Sequence, residues 1–277
     1  MTDSTMTYGP ITLAGSARSG WSFGSLTGWW GQSADKSEVR ERPITHGAFP
    51  TLRSVRSARV ISFTANFLST SQAEIEDAMD ELASIGAEAP VRVSIATPSG
   101  DTWRTVKVEA CEPLNYRAGL GFARLAVDLT AEDPRRYATG EWQSTTPPSP
   151  GTGPSWPLKW PVTWAGGGST GRITLANEGR APSSPQFRLF GESAATTITC
   201  VDDGSRVGLG RGIPAGSYVD IDYAARKATL EGGFDVSRWL LYREWSEVAR
   251  ESARTYQFDA DAANGARMEG KVDSAWW

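Results

Sequence analysis

The chain has 277 residues, 39% hydrophobic and 22% charged, with 28 Lys+Arg against 32 Asp+Glu and a formal net charge of −4. That near-balance provides neither the positive excess of a protein that binds nucleic acid by counterion release nor a polybasic patch for an anionic membrane. The length is enough for one large or two modest cores, and twelve tryptophans are the single compositional excess.

Along the first 140 residues the pattern is that of a sheet with one helix. Gly28-Trp29-Trp30-Gly31 and Arg40-Glu41-Arg42-Pro43-Ile44-Thr45-His46-Gly47 read as an irregular or edge-strand arm, because Pro43 cannot donate to a central ladder. The arginines at 40, 42, 53, 56 and 59 are interleaved with Asp35, Glu38 and Glu41. They read as a solvated edge or as partners for a neighbouring subunit. His46, the one histidine, stands beside Gly47 with no Cys or carboxylate cluster in sequence, and reads as a turn residue.

From Val60 to Leu68 apolar and polar residues alternate with a period of two, the signature of a half-buried strand. The period then changes. Ser71-Gln72-Ala73-Glu74 fits a capping box, Ile75, Ala78, Met79, Leu82 and Ile85 follow at helical spacing, and Gly86 suits a left-handed stop, which predicts a helix over about 71–86. Strands are predicted again at Val91–Thr97, Trp103–Cys111 and Phe122–Ala131, the first two joined by a turn at Pro98-Ser99-Gly100-Asp101. Cys111 and Cys200 fall in different halves and are expected as two buried thiols.

Residues 141–170 form a connector. From Trp142 to Gly171 it holds six prolines, six glycines and four tryptophans, with neither helical nor strand period. Trp156, Trp160 and Trp164 are spaced by four, yet Pro157 and Pro161 exclude a helix. An extended strap docked on a surface, or a sugar-stacking platform, is the alternative.

Residues 171–277 carry short β signals at Arg172–Ala176, Gln186–Gly191, Thr196–Val201, Ser217–Asp222, Ala228–Leu230 and Trp239–Tyr242, separated by turn residues. Ala263-Asn264-Gly265 suits a hairpin between Tyr256–Asp261 and the last strand. Glu244–Arg254 reads as a short helix or an irregular crossover. Gly208-Leu209-Gly210-Arg211-Gly212 lacks the Lys-Ser/Thr ending of a phosphate loop. Asp220 and Asp222 are the nearest approach to a catalytic carboxylate pair. The expected fold class is mainly β: two β domains, an N-terminal antiparallel sandwich or barrel with one packed helix (1–140) and a C-terminal β-sandwich (171–277). No catalytic, cofactor or metal site is expected. No apolar run approaches ~18 residues and no leader pattern opens the chain, so folding in a reducing cytoplasm is expected.

Several phrases, in this order, carry a resemblance: Arg40-x-Arg42-Pro43-x-x-His46-Gly47, Asp133-Pro134-Arg135-Arg136-Tyr137, Asn177-x-Gly179, Pro185-x-Phe187-x-Leu189-x-Gly191 and Ile213-Pro214-Ala215-Gly216-Ser217-x-Val219-x-Ile221-Asp222. Together they resemble the distal tail (Dit, baseplate hub) proteins of long-tailed, non-contractile bacteriophages. The resemblance implies a hexameric ring closed by the N-terminal domain, a galectin-like C-terminal sandwich and no enzymatic activity. The implied place is the distal end of the virion tail, after assembly in the host cytoplasm. The implied partners are tail tube, tape-measure and tail-tip proteins, with DNA passing through the ring without specific binding and no membrane insertion. The alternative is a carbohydrate-binding module contacting host glycans. Trp156, Trp160, Trp164, Trp239 and Trp245 are the candidate glycan or interface contacts.

Overall fold

The computed structural model describes residues 4–15, 19–50, 54–117, 121–150, 167–261 and 264–277. The chain separates into two compact units, Met1–Ala138 with Trp277, and Thr139–Trp276.

The first unit contains β1 (Thr5–Tyr8), β2 (Ile11–Ala14), β3 (Gly20–Thr27), β4 (Arg59–Leu68), α1 (Gln72–Ser84), β5 (Val91–Thr97), β6 (Gly100–Arg117), β7 (Phe122–Ala131) and β8 (Arg136–Ala138). Its strands run in the order β6-β5-β1-β2-β3-β4-β7, and β7 pairs back onto β6, closing a seven-stranded barrel. Of the two architectures left open by the sequence, the barrel is the one formed. Closure depends on β6, whose first half pairs with β5 (Gly100–Val106) and whose second half pairs with β7 (Lys107–Arg117). Register shifts between Val108 and Ala110 and between Pro113 and Asn115 bend it, as bulges do at barrel corners, and they accommodate the proline. The β2–β3 pair is parallel, at Ala14 and Ser22.

Alternation places Ile61, Phe63 and Ala65 of β4, Val93 and Ile95 of β5, and Leu125, Val127 and Leu129 of β7 in one core, joined by Ile75 and Leu82 of α1. The Ser71 hydroxyl accepts from the Glu74 amide at 3.4 Å, but the predicted box is only half made: the Glu74 carboxylate accepts from Ser69 instead. The helix stops at Ser84, earlier than predicted, because Ile85 is already extended; Gly86 then takes the left-handed φ of +74°. A Cβ there would also run into the side chain of Val108.

Between β3 and β4 the chain leaves the barrel as an arm. Lys36 N bonds Val55 O at 2.8 Å, Phe49 N bonds Arg40 O at 2.9 Å, and Arg42 N bonds Gly47 O at 3.0 Å. The arm is therefore a doubled-back ribbon turning at Pro43–His46. His46 is exposed at this tip, beside Gly47 with φ of +84°.

The second unit contains β9 (Gln143–Thr145), β10 (Arg172–Asn177), β11 (Pro185–Glu192), β12 (Thr196–Cys200), β13 (Arg206–Leu209), β14 (Tyr218–Asp222), β15 (Lys227–Leu230), β16 (Phe234–Asp235), β17 (Leu240–Arg243), β18 (Ser252–Ala260), β19 (Asn264–Val272) and β20 (Ser274–Trp276). A five-stranded sheet, β10-β18-β12-β13-β17, and a six-stranded sheet, β16-β15-β14-β11-β19-β9, share one core. Phe187, Leu189, Val219, Ile221, Tyr256, Phe258 and Met268 fill it.

Two sequence expectations change, and the two readings open at Glu244–Arg254 resolve to the irregular crossover. The connector was read without strand character, but its start, Gln143–Thr145, pairs with Met268–Gly270; sheet addition needs only backbone groups. The predicted hairpin at Asn264-Gly265 is instead a passage between sheets, since β18 pairs β10 and β12 while β19 pairs β11 and β9. Gly265 does take the expected positive φ, +68°. Residues 244–251 are irregular, held by a Ser183–Val248 bridge, with no helix. Trp156, Trp160 and Trp164 lie outside the described residues.

Candidate functional site

The six-stranded sheet has one face in the core and one in water, and the watery face is unusually organised. On β11 the in–out alternation turns Gln186, Arg188 and Phe190 outward; on β14 it does the same for Tyr218, Asp220 and Asp222. The register sets Arg188 opposite Asp220 on one side and Glu269 on the other. Arg188 meets Asp220 with both arms of its guanidinium, at 2.6 and 3.0 Å, and lies 4.3 Å over the Tyr218 ring. The hydrogen bonds it donates to Asp220 push Arg188 above its ordinary pKa. Arg267 stacks on Phe190 at 4.3 Å and pairs with Glu269 at 3.1 Å.

Trp142 sits at the edge of this face, 45% exposed. Arg188 and Lys271 approach its ring at 5.7 and 5.3 Å. Lys271 is held by the nearly buried Asp273 at 3.2 Å, and Asp273 also accepts from Gly140 N at 2.8 Å. Between Trp142, Gln186, Arg188, Asp220, Asp222, Lys227 and Thr229 lies a depression of about 270 Å³. An aromatic ring beside fixed donors and acceptors is the chemistry of a small polar ligand with an apolar face.

A second hollow of about 760 Å³ is lined by Glu192, Ser193, Ala194, Arg211, Gly212, Ile213, Pro214 and Trp239. Trp239 ends a short 3-10 turn, Ser237–Trp239, with Arg211 over its ring at 5.2 Å. Its Nε1 and the Ser193 hydroxyl are buried with no hydrogen-bond partner among the described residues. They are closed off from solvent as well, so the hollow offers a ligand the ring and Arg211 but not these two groups.

Of the sequence-predicted contacts, Trp239 therefore borders a hollow. Trp245 is half-buried, packing edge-on against the buried Tyr223 at 5.1 Å and so against the core. Trp142 opens the connector, and the three-residue β9 that follows it is too short to show a strand period in the sequence. Asp220 and Asp222 do not act together. Asp220 is committed to Arg188, while Asp222 accepts from the amides of Ala224 and Ala225 at 2.8 and 2.9 Å and caps a turn. Asp203 accepts from Ser205 and Arg254; burial would raise its pKa, but these bonds outweigh burial and hold it low. Among the described residues no three His, Cys, Asp or Glu side chains gather as metal ligands. Among the described residues no helix is long and apolar enough to cross a membrane.

Comparison with solved structures identifies the architecture. The crystal structure of the Dit protein (gp 19.1) of phage SPP1, described as a paradigm of the hub adsorption apparatus in phages infecting Gram-positive hosts, matches over 99% of both chains, with a TM-score of 0.63 at 13% identity. The chain has the fold of a phage tail hub protein. The phage P2 baseplate in its activated conformation, with Ca and with Sr, shares this hub fold with a TM-score of 0.55 at 9% identity, over 98% of this chain and 97% of the other. No family model and no curated protein matches the sequence. Within the hub fold, the motifs of the resemblance have visible work: the Asp133–Tyr137 and Asn177–Gly179 phrases hold backbone together, and the Arg40–Gly47 phrase stands out in solvent.

Proposed function

We propose that the chain is a structural subunit of a phage tail, a distal hub protein that forms a ring between the tail tube and the tail-tip and receptor-binding apparatus. The end-to-end match to the SPP1 hub protein carries this reading. The closed barrel and the arm of the first unit would build the ring, and the second unit would be its galectin-like sandwich. Such a subunit does no chemistry, and the best carboxylate candidates, Asp220 and Asp222, are engaged in an ion pair and a turn. The tail tube, tape-measure and tail-tip proteins would be its neighbours in the virion, with assembly in the host cytoplasm and DNA passing through the bore without specific contact. Light scattering of the purified 29.9 kDa chain at micromolar concentration should report a hexamer. A monomer across that range overturns the reading.

The depression beside Trp142 favours a second role for the same subunit, contact with a host glycan. Surface polysaccharide from a susceptible host should bind the assembled protein, and Trp142→Ala should weaken that binding at least tenfold. Equal binding by wild type and variant removes the role.

A further inference from the structure

The arm between β3 and β4 is anchored at its root and open at its tip. Arg59 donates to the carbonyls of Gly28, Trp30 and Gly31 at 2.9, 3.1 and 2.6 Å, and Arg104 donates to that of Trp29 at 2.7 Å. Beyond this root the described legs of the ribbon meet only at isolated bridges, Asp35–Arg56 and Glu41–Ala48, and such a two-legged ribbon is marginal in water without something packed on it. It nevertheless exposes Val39 by 74%, Ile44 by 94% and Phe49 by 53%. The stretch from Asp35, at its bridge to Arg56, to Ile44 can reach at most roughly 30 Å at about 3.3 Å per residue. Exposed Arg40 and Arg42 flank the apolar tip, with Arg42 lying 5.8 Å from the Phe49 ring centroid.

The same unit carries a surface of opposite character. The outer face of α1 presents Glu74, Glu76, Asp77, Asp80 and Glu81, and the helix contains no Lys or Arg. Like charges three and four residues apart destabilise a helix, and among the described residues no ion pair involves any of these five. Tyr116 on β6 donates to Glu76 at 2.7 Å, so exposed Leu114 and Tyr116 form an apolar strip beside the acid.

We infer that the arm tip of one copy docks on α1 of the next, with Arg40 and Arg42 against the α1 carboxylates and Ile44 and Phe49 against Leu114 and Tyr116. The inference rests on the ring reading above and specifies its contact: charge and apolar surface match between two patches of the same chain. Because the patches differ, the contact is heterologous, and repetition closes a ring when the rotation permits. A match of acid to base also makes assembly sensitive to salt.

Two full-length variants test it. Arg40→Glu/Arg42→Glu reverses the arm, and Asp77→Arg/Asp80→Arg reverses the helix. All four positions are exposed, so circular dichroism and melting should match wild type. Each variant alone sets like charge against like and should lose the hexamer, with association weakened tenfold or more. An equimolar mixture should recover it, because arms and helices of opposite sign then alternate around an even-membered ring. If wild type is hexameric and the arm variant remains so, the inference fails and the ring reading stands. If both variants dissociate but the mixture does not assemble, the two patches do not face each other and the inference also fails. A monomeric wild type removes both.

Discussion

Arg104 is the most deeply buried charged side chain described in the first unit, 1% exposed, and among the described residues it forms no direct ion pair, although Asp133 is near enough to favour its charge. Its guanidinium is spread over the carbonyls of Trp29, Pro134 and Arg135 and lies 4.7 Å over the Trp29 ring. Burial, with repulsion from Arg59 and Arg136, pulls its pKa down to about 9, still a cation at neutral pH. Arg104→Ala would take the guanidinium from the Trp29 and Arg135 carbonyls, leave Pro134 O to Arg59 alone and open a cavity, costing about 3 kcal/mol or more in denaturant unfolding. Arg104→Lys should recover little, since one ammonium cannot fan across those acceptors.

Asp133 tightens the same region by accepting from Arg135 through Nε at 3.0 Å and from Tyr137 at 2.6 Å. Burial alone would raise its pKa, but the bonds from Arg135 and Tyr137 win and lower it. The carboxylate therefore stabilises the fold above its unfolded pKa, about 3.9, and that contribution is lost as pH falls through the lower folded value. Melting temperature measured against pH should show Asp133→Asn below wild type at pH 7, the gap narrowing toward pH 2. A constant gap would mean the charge contributes nothing.

Asn177 is the counterpart in the second unit. Its amide donates to Ala181, Val248 and Ala249 and accepts from Gly179 and Ala275, all between 2.8 and 3.2 Å. Gly179 is required beside it because a Cβ would collide with the Ala275 backbone.

At the scale of elements, α1 shows how local and tertiary forces divide. Its start follows from Ser71, and Ser71→Ala should cost about 1 kcal/mol by thermal or denaturant melting. Its apolar stripe, with Ile75, Ala78 and Leu82 buried, was legible from spacing alone. Its end was set by the barrel: Ile85 turns extended and donates its amide to Leu82 O at 3.3 Å, while the left-handed Gly86 lies against Val108 of β6. Likewise the strands of the second unit were readable from alternation, but their partners were not. A period of two states which side faces a core, and it does not say which strand lies alongside. That is why Asn264-Gly265 was expected to close a hairpin and instead carries the chain between sheets. It is also why Arg188 and Asp220, 32 positions apart, could not be seen as a pair.

For the whole molecule, two cores of separate composition imply two cooperative events. Calorimetry of the full chain should show a composite endotherm, with Arg104→Ala lowering one component and Asn177→Ala the other. A single transition shifted equally by both changes would show that the units melt as one.

By itself the sequence determined the β class, the one helix and its cap, the two-part organisation as an expectation, and the absence of a recognisable catalytic motif. These follow from periodicity and turn chemistry, which are properties of neighbouring residues. The tertiary structure alone decided that the first sheet closes on itself through a bent β6, that a piece of the Trp/Pro/Gly stretch becomes a strand just after Trp142, and that buried arginines hold the root of the arm. Those outcomes depend on which distant backbone groups meet, a matter of loop closure and register that a linear pattern does not encode.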